Sequence, residues 1–158
     1  MKTKIGLIAA IVTLNIISAS AQDLFEKLGD NEHITSVYIS KALLNLFPGM
    51  ADKMDVDVNG VDLDQIVAKL EQIDIYTSDN QEGAQLIRTE AKKLQSQTKT
   101  YEVLMKIKDD GTNVIFYGEK EKDHFKTLVM VVDESNECTL IRLLGSFTAE
   151  DIQNITKK

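Results

Sequence analysis

The clearest pattern along the chain is an alternation of apolar and polar residues over residues 101–108. This period of two predicts a β-strand with one apolar face. Residues 109–111 are Asp-Asp-Gly, and the Asp-Gly pair tolerates the positive φ angles of a tight turn, so residues 113–117 should return as a neighbouring strand. The apolar face of the first strand would consist of Tyr101, Val103, Met105 and Ile107.

A second pair of strands is predicted at residues 125–132 and 139–144, on either side of the polar loop 133–137. Residues 128–132 are apolar at every position. A strand that is apolar on both faces is normally buried on both, so we expect a central strand covered on each side by the domain or by a partner.

Helical spacing is typical of the first half of the chain. Four apolar residues recur at helical intervals over residues 81–97 and predict an amphipathic helix. Shorter helices are predicted at residues 24–28, ending at Gly29, and at residues 41–47, with a β-rich segment at 33–40 between them. The apolar residues of the long helix are Ala84, Ile87, Ala91 and Leu94.

Asp62 is a candidate N-cap for another helix, which a strand at residues 72–77 follows. The residues that this helix would bury are Leu63, Ile66, Val67 and Leu70.

The C-terminus carries a local helix signal. Thr148 and Asp151 resemble a capping box, with Asp in place of the usual Glu or Gln, and Phe147 and Ile152 have the spacing of a hydrophobic staple. A short final helix should follow. Together these elements predict an α+β fold, a largely antiparallel sheet of five to six strands with helices packed on one face.

The N-terminus has the features of a secretory signal peptide. Lys2 and Lys4 precede an apolar stretch at residues 5–17, and residues 19–21 are Ala-Ser-Ala, which predicts cleavage before Gln22. The alternative is a retained membrane anchor, which needs about twenty apolar residues. We therefore expect residues 1–21 to be removed and residues 22–158 to form a single domain, exported and without a membrane span.

The charge balance narrows the class of partner. The chain carries 18 basic and 25 acidic residues, a net charge of −7. Removal of the signal takes Lys2 and Lys4 with it and leaves a net charge of about −9. Nucleic acids and anionic membrane surfaces are poor partners for such a domain, because like charges repel. The acids are scattered along the chain, and solubility alone would also explain them.

Candidate metal ligands are few. Residues 55–60 fit the first half of a calcium loop, but Leu63 and Ile66 stand where its ninth and twelfth positions require oxygen ligands. A solvated loop, with Asp62 capping the next helix, is the more common explanation of such a segment. His33 and His124, the only histidines, do not have the spacing of a zinc motif. We expect no metal and no cofactor.

Candidate catalytic groups are equally sparse. The lone cysteine, Cys138, has Leu140 and Leu143 as apolar neighbours, which predicts a buried strand thiol. The alternative, a nucleophile, would need His33 or His124 as its base. Carboxylate pairs such as Asp55 with Asp57 and Glu119 with Glu121 are common in any chain of this composition. The four tyrosines, predicted to pack within strands with the hydroxyl at the sheet edge, are Tyr38, Tyr76, Tyr101 and Tyr117.

The segments 101–107, 114–117 and 128–152 resemble the domain-of-unknown-function 4252 family of short exported proteins from Bacteroidetes, and residues 61–63 and 73–76 are similar too. The resemblance implies export and a single domain across nearly the whole mature chain. It implies no catalytic residue, because the family has no established activity.

Some relatives begin the mature chain with a lipid-attachment cysteine, whereas this chain has Gln22, so we expect a soluble periplasmic or secreted protein rather than a lipid-anchored one. The leading hypothesis is a non-enzymatic accessory protein of the cell envelope that binds another protein. Two alternatives stay open. One is an envelope-stress or sigma-factor regulatory component, which gene neighbourhoods in the family suggest, and the other is a metal- or carboxylate-dependent enzyme with convergent acids in a pocket.

Overall fold

The computed structural model describes residues 19–46, 66–97 and 99–155. The calcium-like loop 55–60 and the helix predicted to begin at Asp62 lie outside the described residues, apart from the segment that starts at Ile66. The predicted signal sequence is described only from Ala19 onward.

The described residues form an α+β fold around a six-stranded antiparallel sheet, as the sequence predicts. The strand order is β1-β2-β6-β5-β4-β3. The strands are β1 (Thr35–Ser40), β2 (Leu70–Ser78), β3 (Tyr101–Asp109), β4 (Thr112–Glu121), β5 (His124–Asp133) and β6 (Cys138–Phe147). The helices are α1 (Ala19–Gly29), α2 (Lys41–Leu46), α3 (Gln81–Ser96) and α4 (Ala149–Ile155).

The second half of the chain is the predicted meander. Asp110 and Gly111 have φ angles of 37° and 89°, as a two-residue hairpin turn between β3 and β4 requires. β5 lies between β4 and β6, and residues 128–130 are fully buried, which confirms the central strand.

One prediction about β3 is wrong. Val103 faces Tyr117 across the β3–β4 pair and Met105 faces Phe116, so the register shifts between them. A bulged residue reverses the alternation of side chains beyond it. Tyr101 therefore packs with the core under α1 and α3, whereas Met105 and Ile107 pack with the core on the opposite face.

The segment before β2 also differs from its prediction. Val67–Lys69 forms a single 3₁₀ turn, and Leu70, predicted as helical, is the first residue of β2. Ile66 and Leu70 are buried as expected. An apolar spacing of three to four residues is shared by a helix and by a tight turn that leads into a strand, so the pattern alone did not separate them.

The sheet is covered on both faces. α1 and α3 pack on one face, as predicted for the helices, and their side chains form one core cluster with Tyr76, Val129 and Leu140. The other face contacts Leu43 and Leu44 of α2 and Ile152 after the capping box, so the prediction of helices on one face does not extend to these short elements. Strands that are apolar on both faces require cover on both.

Side-chain caps fix the starts of α3 and α4. The Asn80 side chain accepts hydrogen bonds from the backbone N–H groups of Glu82 and Gly83. At α4 the predicted capping box is present, because Thr148 N donates to Asp151 Oδ2 at 2.6 Å and Asp151 N donates to Thr148 Oγ1 at 3.3 Å.

Candidate functional site

A cleft of about 1050 Å³ opens on the α1 face, at the end of the sheet where β2 and β3 begin. We call it the end cleft. Its wall is α1, and its floor is a row of side chains that are partners across successive strands. That row consists of Gln72, Leu144, Thr127, Glu119 and Tyr101.

Glu119 is held firmly within the floor. Thr127 Oγ1 donates to Glu119 Oε2 at 2.8 Å, and Lys126 Nζ lies 3.1 Å from Glu119 Oε1. Burial, and after it the charge of Glu119, raises the pKa of Tyr101, so its phenol stays protonated beside the carboxylate. These contacts fix the position of Glu119 and stabilise the floor.

A buried ion pair lies behind the cleft. Arg142 donates to Asp74 Oδ2 through Nε at 2.8 Å, and its NH2 nitrogen lies 2.7 Å from the same oxygen. Gln72 Nε2 also donates to Asp74, at 2.9 and 3.0 Å. The guanidinium carbon stands 3.9 Å from the centre of the Phe25 ring, a cation–π contact that ties α1 to the sheet. Phe25 in turn stacks on Tyr76, whose pKa is raised by burial and by the charge of Asp74 against the opposing charge of Arg142.

The charged side chains that line the end cleft are mostly acidic, and its two cations, Lys126 and Arg142, are already paired with carboxylates. Lys126 contacts Glu119 and lies 3.8 Å from Glu121, and Arg142 contacts Asp74. The cleft therefore favours a cationic or neutral polar ligand over an anionic one. The acids that line it are Glu26, Asp30, Glu71, Glu119 and Glu121.

The structure keeps the two histidines apart. His124 lines the end cleft, with Asp123 at 3.4 Å and Glu121 at 3.7 Å. His33 precedes β1, beside Glu32 and Glu82. Within the ranges that the structure describes, no cluster of three or more His, Cys, Asp or Glu side chains could hold a metal ion. Asp55 and Asp57 lie outside those ranges.

Cys138 is a buried thiol, as predicted. Its side chain is fully enclosed at the start of β6. Burial, with the nearby charges of Asp133 and Glu137 against that of Arg88, raises the pKa of Cys138 to about 12. The thiolate that a nucleophile requires is therefore scarce at neutral pH.

The family model of the domain of unknown function 4252 matches residues 25–155 of the chain. The chain belongs to this family. The matched span contains every described strand and the acids of the end cleft, which confirms the resemblance seen in the sequence. No curated protein sequence matches the chain significantly. Among the described residues of this family member, no helix has the length and apolar character needed to cross a membrane.

A second surface of this family member is the outer side of β1, which we call the β1 edge. Tyr38 lies in a strand, as all four tyrosines were predicted to, but it is 65% exposed rather than packed. Val37 is 43% exposed, and β1 carries no charged residue. Among the described strands only β2 pairs with β1.

Sequence reasoning missed both surfaces. Asp74 and Arg142 each interrupt an apolar run, between Ile73 and Ile75 and between Ile141 and Leu143, and an inward-facing charge in such a run is a signal of a buried ion pair. For the β1 edge the available signal was the absence of Lys, Glu and Pro from a short apolar strand.

Proposed function

We propose that the protein is an exported, non-enzymatic accessory protein of the cell envelope that binds a partner protein through the β1 edge. The partner contributes an extended segment that adds to the sheet as a seventh strand. The observation that carries this proposal is the uncharged, exposed edge at Thr35–Ser40. Such an edge is a template for strand addition unless charge, proline or a bulge blocks it.

The side chains of β1 supply contacts on both faces of an added strand. Val37 is opposite Ile75, on the face of the α2 core, and Tyr38 is opposite Asp74, on the α1 face. An added strand would gain main-chain hydrogen bonds along β1 and would cover these two apolar side chains from either side. Their burial favours association by the hydrophobic effect.

Charge around β1 defines the chemistry of the partner. Exposed acids flank the strand, with Glu32 and Glu82 beside His33 at its start and Glu71 beside Lys41 at its end. A segment with Lys or Arg next to a short apolar stretch complements this pattern, and the attraction also speeds the encounter.

Site-specific photo-crosslinking in the envelope of the native host tests the proposal. A benzophenone amino acid replaces Val37 in one strain and Val103, on the β3 edge, in another. The two valines are matched controls, since both lie in edge strands and they are 43% and 42% exposed. We expect a specific adduct from position 37, lost when Tyr38 is also changed to Lys. Equal adducts from both positions, or none from position 37, would contradict the proposal.

Export is tested separately by mass spectrometry of the protein from the envelope fraction. We expect a chain that begins at Gln22. Cleavage at this point removes the first turn of α1 and leaves Leu24, Phe25 and Leu28, which pack in the core. A chain that retains Met1 would count against export by this route.

A second candidate function, a carboxylate-dependent enzyme, is favoured by the convergence of Glu119, Glu121 and His124 on the end cleft. Glu119→Gln retains the shape of the side chain and removes its charge. If the domain is an enzyme, this variant should lose hydrolytic activity on a panel of ester and glycoside substrates while it folds normally. Absence of activity in the unaltered protein would leave strand addition as the better account.

A further inference from the structure

A second concave feature lies on the α1 face, at the end of the sheet opposite the end cleft. It is a groove of about 390 Å³ between α3 and the β3–β4 hairpin. The volume is within the range of pockets that bind small organic molecules. We call it the basic groove, and its composition differs from the rest of this acidic protein.

The interior of the basic groove is apolar. Ala91 on α3 and Val131 on β5 are buried, and Ile115 on β4 is partly exposed beside them. α3 packs mainly on β2 and β6, and the groove lies between α3 residues 88–95 and the strands β3, β4 and β5.

The mouth of the groove is cationic. Lys92 on α3 and Lys106 and Lys108 on β3 line it, and none of the three has a carboxylate within 4 Å among the described residues. The bulge in β3 reverses which residues face α3. After it the even-numbered residues do so, among them Lys106 and Lys108. The nearby acid, Asp133, is already bound by Arg88 Nε at 2.5 Å.

Tyr117 adds a hydrogen-bond donor to the same groove. Tyr117 lines the groove and is only 2% exposed. In the described part of the chain no hydrogen-bond partner is found for its hydroxyl, although that oxygen is not sealed from solvent. Burial alone raises the pKa of Tyr117, so the phenol remains a donor at neutral pH. Because its oxygen is reached by solvent while the ring is buried, the hydroxyl is free to donate to a molecule in the groove.

We propose that the basic groove binds an amphiphilic anion, specifically a medium-chain fatty acid whose alkyl chain lies against Ile115 and Val131. Its carboxylate pairs with the lysines at the mouth and accepts the hydrogen bond that Tyr117 offers. Apolar burial supplies the affinity, and the charge of the mouth supplies the selectivity for an anion in a protein that otherwise repels anions. This inference is independent of strand addition at β1.

Calorimetric titration of the purified protein with decanoate, below its micelle-forming concentration, tests the proposal. Decanol and decylammonium share the alkyl chain and serve as neutral and cationic comparisons. We expect decanoate to bind at least about tenfold more tightly than either, because only the anion pairs with the lysines. Equal affinity for all three, or no binding of decanoate, would overturn it.

Charge reversal locates the site. The double variant Lys106→Glu/Lys108→Glu should weaken decanoate binding by about tenfold or more. Lys99→Glu/Lys120→Glu makes the same charge change at exposed positions outside the groove and should alter binding by less than about twofold. Equal losses in both variants would show a nonspecific effect of net charge and overturn the assignment.

Tyr117→Phe examines the donor without emptying the apolar wall. We expect decanoate to bind several-fold more weakly while decanol is less affected, because the carboxylate is the better acceptor. Unchanged decanoate affinity in this folded variant would remove Tyr117 from the site. If an acidic peptide saturates the groove and decanoate does not bind, the ligand is not a fatty acid and the proposal is overturned.

Discussion

The two edge strands of the sheet differ in almost every property that controls strand pairing. β3 has nine residues, including Glu102, Lys106, Lys108 and Asp109, and a bulge near its middle. β1 has six residues, none of them charged, and its register with β2 is continuous. Charges and bulges are the usual means by which proteins prevent edge-to-edge association.

Among the described residues, charges and a bulge therefore protect the β3 edge, and neither protects the β1 edge. A partly exposed valine occurs on each edge, so hydrophobicity alone does not separate them. What separates them is the cost of adding a strand, which at β3 includes desolvation of charged groups and a distorted ladder.

The largest expected effect is a loss of stability where α3 packs against the segment that leads into β1. Gly83 lies so close to Ser78 and to the carbonyl of His33 that an added Cβ would collide with both, and Ser78 Oγ donates to that carbonyl at 2.6 Å. Gly83→Ala should lower the free energy of unfolding by about 2 kcal/mol, measured by urea denaturation, with early loss of hydrogen-exchange protection in β1. Gly29→Ala, with only ordinary contact at 3.8 Å, is the control and should be nearly neutral.

A lysine in the open edge should convert it into a protected one. Val37→Lys should weaken binding of the crosslinked partner by about tenfold, because an added strand would have to desolvate the ammonium group. Val103→Lys places the same group on the β3 edge and should change binding by less than about twofold. Affinity measured by surface plasmon resonance decides between them, and equal effects would show that the edges are equivalent.

The protected edge depends on its hairpin. Gly111 has a φ of 89°, which a residue with a Cβ adopts at a cost, so Gly111→Ala should destabilise the domain by about 1 kcal/mol. Hydrogen exchange should locate the loss in β3 and β4. Asp110→Asn, which tolerates the positive φ of that position, should be nearly neutral. A loss of protection centred on β1 would argue against independent edges.

The smallest expected effect is a loss of stability at acid pH, when Glu90 and Asp151 become protonated. Burial raises the pKa of Glu90 and of Asp151, but hydrogen bonds from Lys27 and Lys93 and from Lys69 and Thr148 outweigh it, and both pKa values are lowered on balance. Because the folded pKa lies below the unfolded one, the stabilisation is complete above the ordinary carboxyl pKa and is lost as pH falls through the folded value.

Glu90 joins α1, which packs on β1, to α3, which packs mainly on β2 and β6 and less on β3, and Asp151 holds the turn before β2. Between pH 5 and pH 3 we therefore expect β1 to lose exchange protection before β3, by less than about 1 kcal/mol per group. Glu90→Gln should reduce this difference. A uniform loss across the sheet would contradict it.

Features set by local chemistry were predictable from the sequence. The Asp110-Gly111 turn follows from its φ requirements, the start of α4 from the spacing of Thr148 and Asp151, and α3 from its apolar period. Each of these signals lies within a few residues of the element that it specifies.

Features set by contacts between distant segments were not predictable. The bulge between Val103 and Met105 depends on how β3 pairs with β4, and nothing in the alternation of β3 marks it. Asp74 and Arg142 are 68 residues apart, and only the β2–β6 pairing brings them together. The end cleft likewise combines α1 with five other segments, the strands β2 to β6, so most of its acids lie far apart in the sequence.

Cys138 gives the domain a built-in reporter of its own opening. It is the only sulfhydryl in the chain, and it is enclosed between β5 and β2 at the start of β6. A thiol reagent can modify it only after the core between the sheet and α1 and α3 opens, so the rate of labelling measures how often this core opens. Binding of a ligand at β1 or in the basic groove should slow the modification of Cys138. Binding can therefore be followed with the natural cysteine, without introducing another reporter group.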